Sequence, residues 1–337
     1  TIDPATLTAD SIQVIANGQP IAGHLRVSPT EQFATYFYTN PLPASTAVRV
    51  IVDGNQIVAR NGNKLDADGD GVAGGVSTTE FHTLPITLIS GTRVYGYVYD
   101  SYNRDVGGNN IPVVGATISL DADPTIKVTT DANGFFELGL LDLDNNSQPD
   151  GLPAPEFFVH IDGSTASNAP VGTKYATLGK PFHSVPGERV QLSMAGADPD
   201  VNPTEPGEQF HVYLPPMAMS DVVTLNATSD TVVGFGTAAQ DQIRRIFAER
   251  YPTDPVRAAA EAQLTIDTMK VTYPAGSAQD QNGVKATQAT IVPVDPSRLP
   301  APLPPGVDPG LVISIQAGTA AGFNLAGGST NFDVPAP

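Results

Sequence analysis

Six residues, Asp66-Ala67-Asp68-Gly69-Asp70-Gly71, constrain this chain more than any other stretch. Three carboxylates at alternate positions repel one another unless a cation sits among them or water screens each one. A hard cation bound through oxygen suits the spacing: alternate side chains converge on one ion while glycine takes the sharp turn. Asp66, Asp68 and Asp70 stand at positions 1, 3 and 5 of such a loop, Gly71 at position 6, and Val72 offers its carbonyl at position 7. A helix–loop–helix calcium site would put a bidentate Glu at position 12, where this chain has Ser77. The flanking residues also lack helical periodicity. The loop is therefore expected between β-strands, with Asn61, Asn63 or Glu80 available to complete the shell. Lacking the bidentate ligand, it should bind calcium weakly, with a dissociation constant of roughly 10⁻⁴–10⁻³ M. The competing explanation is a solvated Asp/Gly turn without an ion.

A second loop repeats the arrangement between Asp142 and Gly151. Asp142, Asp144, Asn146, Gln148 (through its carbonyl) and Asp150 again occupy alternate places, with Glu156 downstream as a further ligand. Ca2+ is the expected ion for both loops. A third acidic run, Asp198 to Glu208, contains three prolines and reads as an exposed loop.

Charge and composition narrow the function classes. With 35 acidic and 17 basic residues the net charge is −18, which argues against nucleic acid as a partner because phosphate binding needs a basic surface. No apolar run approaches the ~18 residues of a membrane span. Cysteine is absent, so stiffness must come from packing, proline or metal. The 32 glycines and 31 prolines, 63 of 337 residues, favour turn-rich β-structure. The length suits two to four domains. Starting on Thr1 without a signal peptide, the chain reads as a mature or excised piece of something larger.

Three segments are expected. In residues 1–90, strand-like runs cover Ser11–Ala16, Ile21–Val27, Phe33–Tyr38 and Ala47–Val52. Asn17-Gly18 and Asp53-Gly54 have the composition of hairpin turns. The order Asp3-Pro4-Ala5-Thr6-Leu7, then Asn63-Lys64-Leu65-Asp66, then Glu80-Phe81-His82-Thr83, resembles the bacterial Ig-like domains of S-layer and surface proteins. In residues 91–216, Val94–Asp100 alternates cleanly, and Pro112–Leu120 and Thr129–Leu138 follow as strands, with a turn at Asp131–Gly134 and Phe136 directed to the core. This pattern resembles the carboxypeptidase-regulatory-like or Cna-B-type fold. Phe157–Ile161 and Phe210–Leu214 add strands, and Pro215-Pro216 reads as a linker.

Residues 217–337 change character. Thr237 to Gln240 has the form of a capping box, followed by Ile243, Ile246, Phe247 and Tyr251 at helical spacing. Asp254-Pro255 should open a second helix over Val256–Leu264. Strands are then expected at Met269–Tyr273, Ala289–Val294 and Leu311–Gln316. Val271–Ser277 and the proline-rich loop to Pro309 bear a weak resemblance to the ankyrin/netrin-receptor sandwich domain. The expected fold is mainly β: tandem Ig-like β-sandwich modules with a short helical insertion in the C-terminal segment.

No catalytic signature competes with the acidic loops. There is no G-x-S-x-G and no phosphate-cradling glycine loop, and no tryptophan for sugar stacking. His160, His183 and His211 with Asp162 have the chemistry of a zinc site, although strand histidines are more often structural. Tyr95, Tyr97 and Tyr99 fall on one strand face, as a ligand platform or as sheet cover. The expected protein is not an enzyme. It is an extracellular structural or adhesive segment, with calcium, neighbouring modules of a larger chain, and homotypic or surface contacts as partners. The alternative is a carbohydrate- or protein-binding accessory module.

Overall fold

The computed structural model describes residues 1–27, 31, 34–39, 42–121, 123–191, 211–276, 278–279, 284–296, 298–299, 310–318 and 331–332. It is mainly β with two α-helices. No described helix is long and apolar enough to cross a membrane. The expected acidic loop Asp198–Glu208 and the Pro-rich stretch 300–309 lie outside the described residues.

The first unit holds β1 (Ile12–Ala16), β2 (Gln19–Pro20), β3 (Gly23–Val27), β4 (Ala34–Tyr38), β5 (Ala47–Asp53) and β6 (Val76–His82). One antiparallel sheet has the order β2-β1-β5-β6, and β3 pairs with β4 as a separate hairpin. Asn17 and Gly18 both take positive φ, 50° and 73°, the twist that a two-residue hairpin requires, and they fold β2 back on β1. The chain does turn at Asp53-Gly54, with the Gln56 N–H bonded to the Asp53 carbonyl at 3.1 Å, but this turn does not join two paired strands as a hairpin. Asp53 instead pairs with Val76, and residues 54–75 leave the ladder as one long loop whose ends are tied by the Gly54 N–H to Gly75 carbonyl bond, 2.9 Å. Gly54 serves close approach: a Cβ there would lie 2.2 Å from the Leu65 carbonyl oxygen. Val14, Ala16 and Val48 form the buried cluster, with Tyr36, Tyr38 and Ile21 packed around it.

The second unit contains β7 (Arg93–Arg104), β8 (Asn110–Pro112), β9 (Thr117–Leu120), β10 (Lys127–Thr129), β11 (Phe135–Leu138), β12 (Glu156–Asp162), β13 (Thr173–Tyr175), β14 (Thr177–His183), β15 (Arg189–Gln191), β16 (His211–Leu214) and β17 (Pro216–Ala218). One sheet runs β10-β9-β12-β14; the other centres on β7, flanked by β11 and β8 and, in parallel, by β15 and β16. The alternation of β7 decides the faces. Val94 and Val98 enter the core between the sheets, and Tyr95, Tyr97 and Tyr99 face outward, half-buried. Ile118, Phe136, Val159, Ile161 and Phe182 complete a core with almost no solvent exposure. The expected run Pro112–Leu120 is broken: β8 stops at Pro112, Gly115 with φ +80° lies in the gap, and β9 begins at Thr117. Pro215 and Pro216 are not a linker: both are buried, and Pro216 pairs with Tyr175.

The third unit holds β18 (Val223–Thr224), β19 (Thr231–Val233), α1 (Thr237–Arg250), α2 (Pro255–Thr268), β20 (Val271–Tyr273), β21 (Ala278–Gln279), β22 (Gln288–Val294), β23 (Val312–Gly318) and β24 (Asn331–Phe332). Ile243, Phe247, Ala258, Ala262 and Ile266 bring the helices together over Ala289 and Ile291 of β22. Asp254 caps α2 as expected, accepting from the Arg257 N–H at 3.0 Å, and the helix runs on to Thr268. Thr237 does not cap α1. The N-cap is Gly236, and the orphan N–H of Ala239 is taken by Asp221, 3.0 Å away and almost fully buried. A Cβ on Gly236 would sit 2.1 Å from the Asp221 carboxyl carbon, so glycine is what lets this carboxylate reach the helix.

The second and third units are joined by buried polar contacts. Arg298, 1 % exposed, donates to the Asp100 carbonyl at 2.9 Å and to Asn110 Oδ1, with its guanidinium over the Tyr213 ring. The Gln316 amide takes the Thr177 N–H and donates to the Thr177 carbonyl, both at 3.2 Å, as a further strand residue would.

Candidate functional site

The loop between β5 and β6 gathers its acids. Carboxylate oxygens of Asp66, Asp68 and Asp70 lie within 4.8 Å of one another near the surface. Glycines shape the turn: Gly69, Gly71, Gly74 and Gly75 all have positive φ. Asp66 accepts the Gly69 N–H at 2.8 Å and the Gly71 N–H at 2.9 Å, and Asp70 accepts the Val72 N–H at 2.7 Å. Asp68 packs on Gly75, where a Cβ would stand 2.4 Å from its Oδ2. Each ionised carboxyl offers about four lone-pair sites, so these backbone bonds leave acceptor capacity for an ion. The donor set is all oxygen, which suits a hard divalent cation and not zinc. Glu80 is not part of the group; it pairs with Arg49 at 3.4 Å across β5 and β6.

The second loop gathers Asp142, Asp144 and Asp150 within the same 4.8 Å. Asp142 accepts N–H bonds from Asn146 and Ser147 at 3.0 and 2.8 Å. The Asn146 amide donates to Asp144 at 2.9 Å and accepts from the Gln148 N–H at 2.8 Å. Asp150 closes the loop by accepting the Leu143 N–H at 2.6 Å. Glu156 does not join the group; it faces His183 at 3.4 Å on the neighbouring strand. The loop is also fastened to the segment that connects the first two units. Leu152 and Ile89 form an antiparallel bridge, and the Ser90 hydroxyl donates to the Pro149 carbonyl at 3.1 Å. Gly151 packs so tightly that a Cβ would fall 1.9 Å from the Ile89 carbonyl oxygen.

The three histidines do not converge. His160 and His183 belong to the sheet β10-β9-β12-β14, and His211 lies on β16 in the opposing sheet. Among the described residues, the groups able to hold a metal are the two aspartate sets. His211 instead packs edge-on against Tyr97 and Tyr99, whose rings are parallel with centroids 5.9 Å apart. Phe135 extends this aromatic row, and the Arg189 guanidinium lies 3.9 Å over the Tyr95 ring. Arg189 also makes two 2.9 Å bonds to Glu137. That hydrogen-bonded guanidinium is the main cause that holds the Glu137 carboxyl below the usual glutamate range, with Arg93 adding to it.

Two further features leave no mark in the local sequence pattern. One is the Arg298 anchor, whose partners Asp100 and Asn110 lie far back in the chain. The other is a cleft of about 250 Å³ at the joint of the second and third units, lined by Asn103, Pro216, Asp221, Gln242 and Thr290 among others. Comparison with protein-family models and with curated proteins gives no match, so any reading of this chain rests on its own residues.

Proposed function

We propose that this chain is a non-catalytic structural or adhesive segment of a large secreted or cell-surface protein. Its β-units would be Ig-like modules arranged in series, stiffened by calcium at Asp66, Asp68 and Asp70 and at Asp142, Asp144 and Asp150. Asn146 and the carbonyls of Val72 and Gln148 are the further ligands, and free sheet edges are open to homotypic assembly. The observation that carries this reading is the place of the second loop. It is bonded to Ile89 and Ser90, the residues that link the first unit to the second. An ion that orders this loop would also order the joint. Because the ion binds the folded form, it adds RT ln(1 + [Ca]/Kd) to stability, about 0.4–1.4 kcal/mol per site at about 1 mM calcium for the affinity expected here.

The test is thermal melting in excess EDTA against a few millimolar calcium, on the native chain and on Asp68→Ala/Asp144→Ala. The expected result is a rise of several degrees that the double variant loses. Equal melting curves in EDTA and calcium would mean that both loops are ordinary acidic turns.

A second reading, an accessory module that binds carbohydrate or protein for a secreted enzyme, has the aromatic row in its favour. Tyr97, Tyr99, Phe135 and His211 form a continuous, half-buried strip on one outer sheet face. Binding on a glycan array that Tyr97→Ala abolishes would favour this reading over the first.

A further inference from the structure

Three edge strands of the described sheets are seven residues long, and two of them are guarded. β14 contains Lys180 and Pro181, residues that block pairing at an edge. On β23, the Gln316 amide takes both backbone groups of Thr177 in the second unit. The other edge of the first sheet, β2, is two residues long and ends in proline. β6 has one charge, Glu80, which Arg49 of β5 engages at 3.4 Å, and none of the other devices. It ends the order β2-β1-β5-β6, and its sequence Val76-Ser77-Thr78-Thr79-Glu80-Phe81-His82 has no proline, no lysine and no glycine. Six of its seven residues are exposed, and Val76 and Phe81 are 50 % and 37 % exposed. Phe81 lies opposite the fully buried Val48, so its ring is on the core face yet uncovered.

We infer that β6 is an assembly edge that pairs antiparallel with β6 of a second copy of this chain, centred on Thr79. This deepens the structural reading above, on which it rests, by naming the strand and the register. In that register Val76 meets His82, Ser77 meets Phe81, Thr78 meets Glu80, and Thr79 meets its own counterpart. No like charges face each other, Ser77 of one copy flanks the exposed Phe81 of the other, and β-branched threonines dominate the contact, as pleated pairing favours. Sliding by two residues to centre on Glu80 would set carboxylate against carboxylate, which disfavours it. A twofold contact of this kind closes after two copies, so it would join two rods side by side and not lengthen one. One strand pair buries little surface, so the dimer should be transient and should build up only at high protein concentration.

Sedimentation velocity on the 337-residue chain, from low to high micromolar concentration, tests it. The native chain should show a dimer that grows with concentration. Thr79→Lys and Thr79→Asp should each remain monomeric, because like charges then meet across the axis. An equal mixture of the two should regain the dimer, since opposite charges now meet. Thr79 is exposed, so both variants should keep the native circular dichroism spectrum. A native chain that stays monomeric throughout, a dimer that Thr79→Lys leaves intact, or a mixture that stays monomeric would overturn the inference. Melting with and without calcium reports separately: a monomer still stabilised by calcium would remove the β6 contact and leave the stiffened rod standing.

Discussion

Between the sheets of the second unit, Val94, Val98, Ile118, Leu138 and Val159 are all fully buried, and Phe136, Phe157 and Phe182 fill the space around them. In the first unit the buried cluster is Val14, Ala16 and Val48. Both units are built from strands that alternate apolar and polar residues, so the difference does not lie in pattern. It lies in how much sheet faces sheet. β12 and β14 stand opposite β7 and its neighbours, whereas the four-stranded sheet of the first unit is met by the short hairpin β3-β4. A small core leaves a small margin, and stabilisation by ions or partners then matters more. The first unit is where a long glycine-rich acidic loop and an unguarded edge both occur.

The largest effects should come from the cores. Phe136→Ala removes an aromatic ring from the packed interior and should cost the second unit about 3–5 kcal/mol. Val48→Ala removes less, about 1–3 kcal/mol, but takes it from a unit with less to lose. Calorimetry should therefore resolve two transitions, with Val48→Ala acting on the lower one and Phe136→Ala on the upper. A single transition lowered by both variants would show that the units melt together and would remove the distinction. Calcium at the first loop should raise the lower transition, a shift that Asp68→Ala alone removes, and calcium at the second loop should raise the upper one, a shift that Asp144→Ala removes.

A smaller effect is expected where the sequence was least legible. Clean alternation marked β7, strand-like runs marked β1, β5 and β12, and helical spacing at Ile243, Ile246 and Phe247 marked α1, because these patterns are local. Long-range partners leave no local trace. Thr237 looks like a cap from its neighbours, yet the carboxylate that serves α1 is Asp221, sixteen residues earlier, admitted by the missing side chain of Gly236. The Asp53-Gly54 pair likewise reads as a hairpin only when the 54–75 excursion is ignored. At the acidic loops the text showed which carboxylates share a turn, and geometry adds that they converge. It could not show that Glu80 and Glu156 are engaged by Arg49 and His183, since those contacts depend on strand register. Asp221→Ala should thus destabilise the third unit by about 1–2 kcal/mol, through an orphaned helix N–H. Thr237→Ala should cost little. Hydrogen exchange at the Ala239 amide separates the two: faster exchange in Asp221→Ala and native exchange in Thr237→Ala is the expected result, and the reverse would restore the capping box.

The smallest effect should appear in acid, on the second unit. Glu137 carries a side chain 12 % exposed, held by Arg189 at 2.9 Å and Arg93 at 3.5 Å. Its carboxyl is held below the ordinary range chiefly by the Arg189 bonds, so the folded form favours the ionised state more than the unfolded chain does. The stabilisation is complete above the unfolded value of about 4.3 and is lost as pH falls through the lower folded value. The arginines are 40 % and 37 % exposed, so solvent screens the pair and its worth stays below about 1 kcal/mol. Glu137→Gln should lower the upper transition slightly at pH 7 and lose less than the native chain on acidification, so that the two converge once the pH has fallen through the lowered folded value. Parallel profiles would mean that the arginines stabilise this face by lying over its rings, as Arg189 does over Tyr95, and not through the carboxylate.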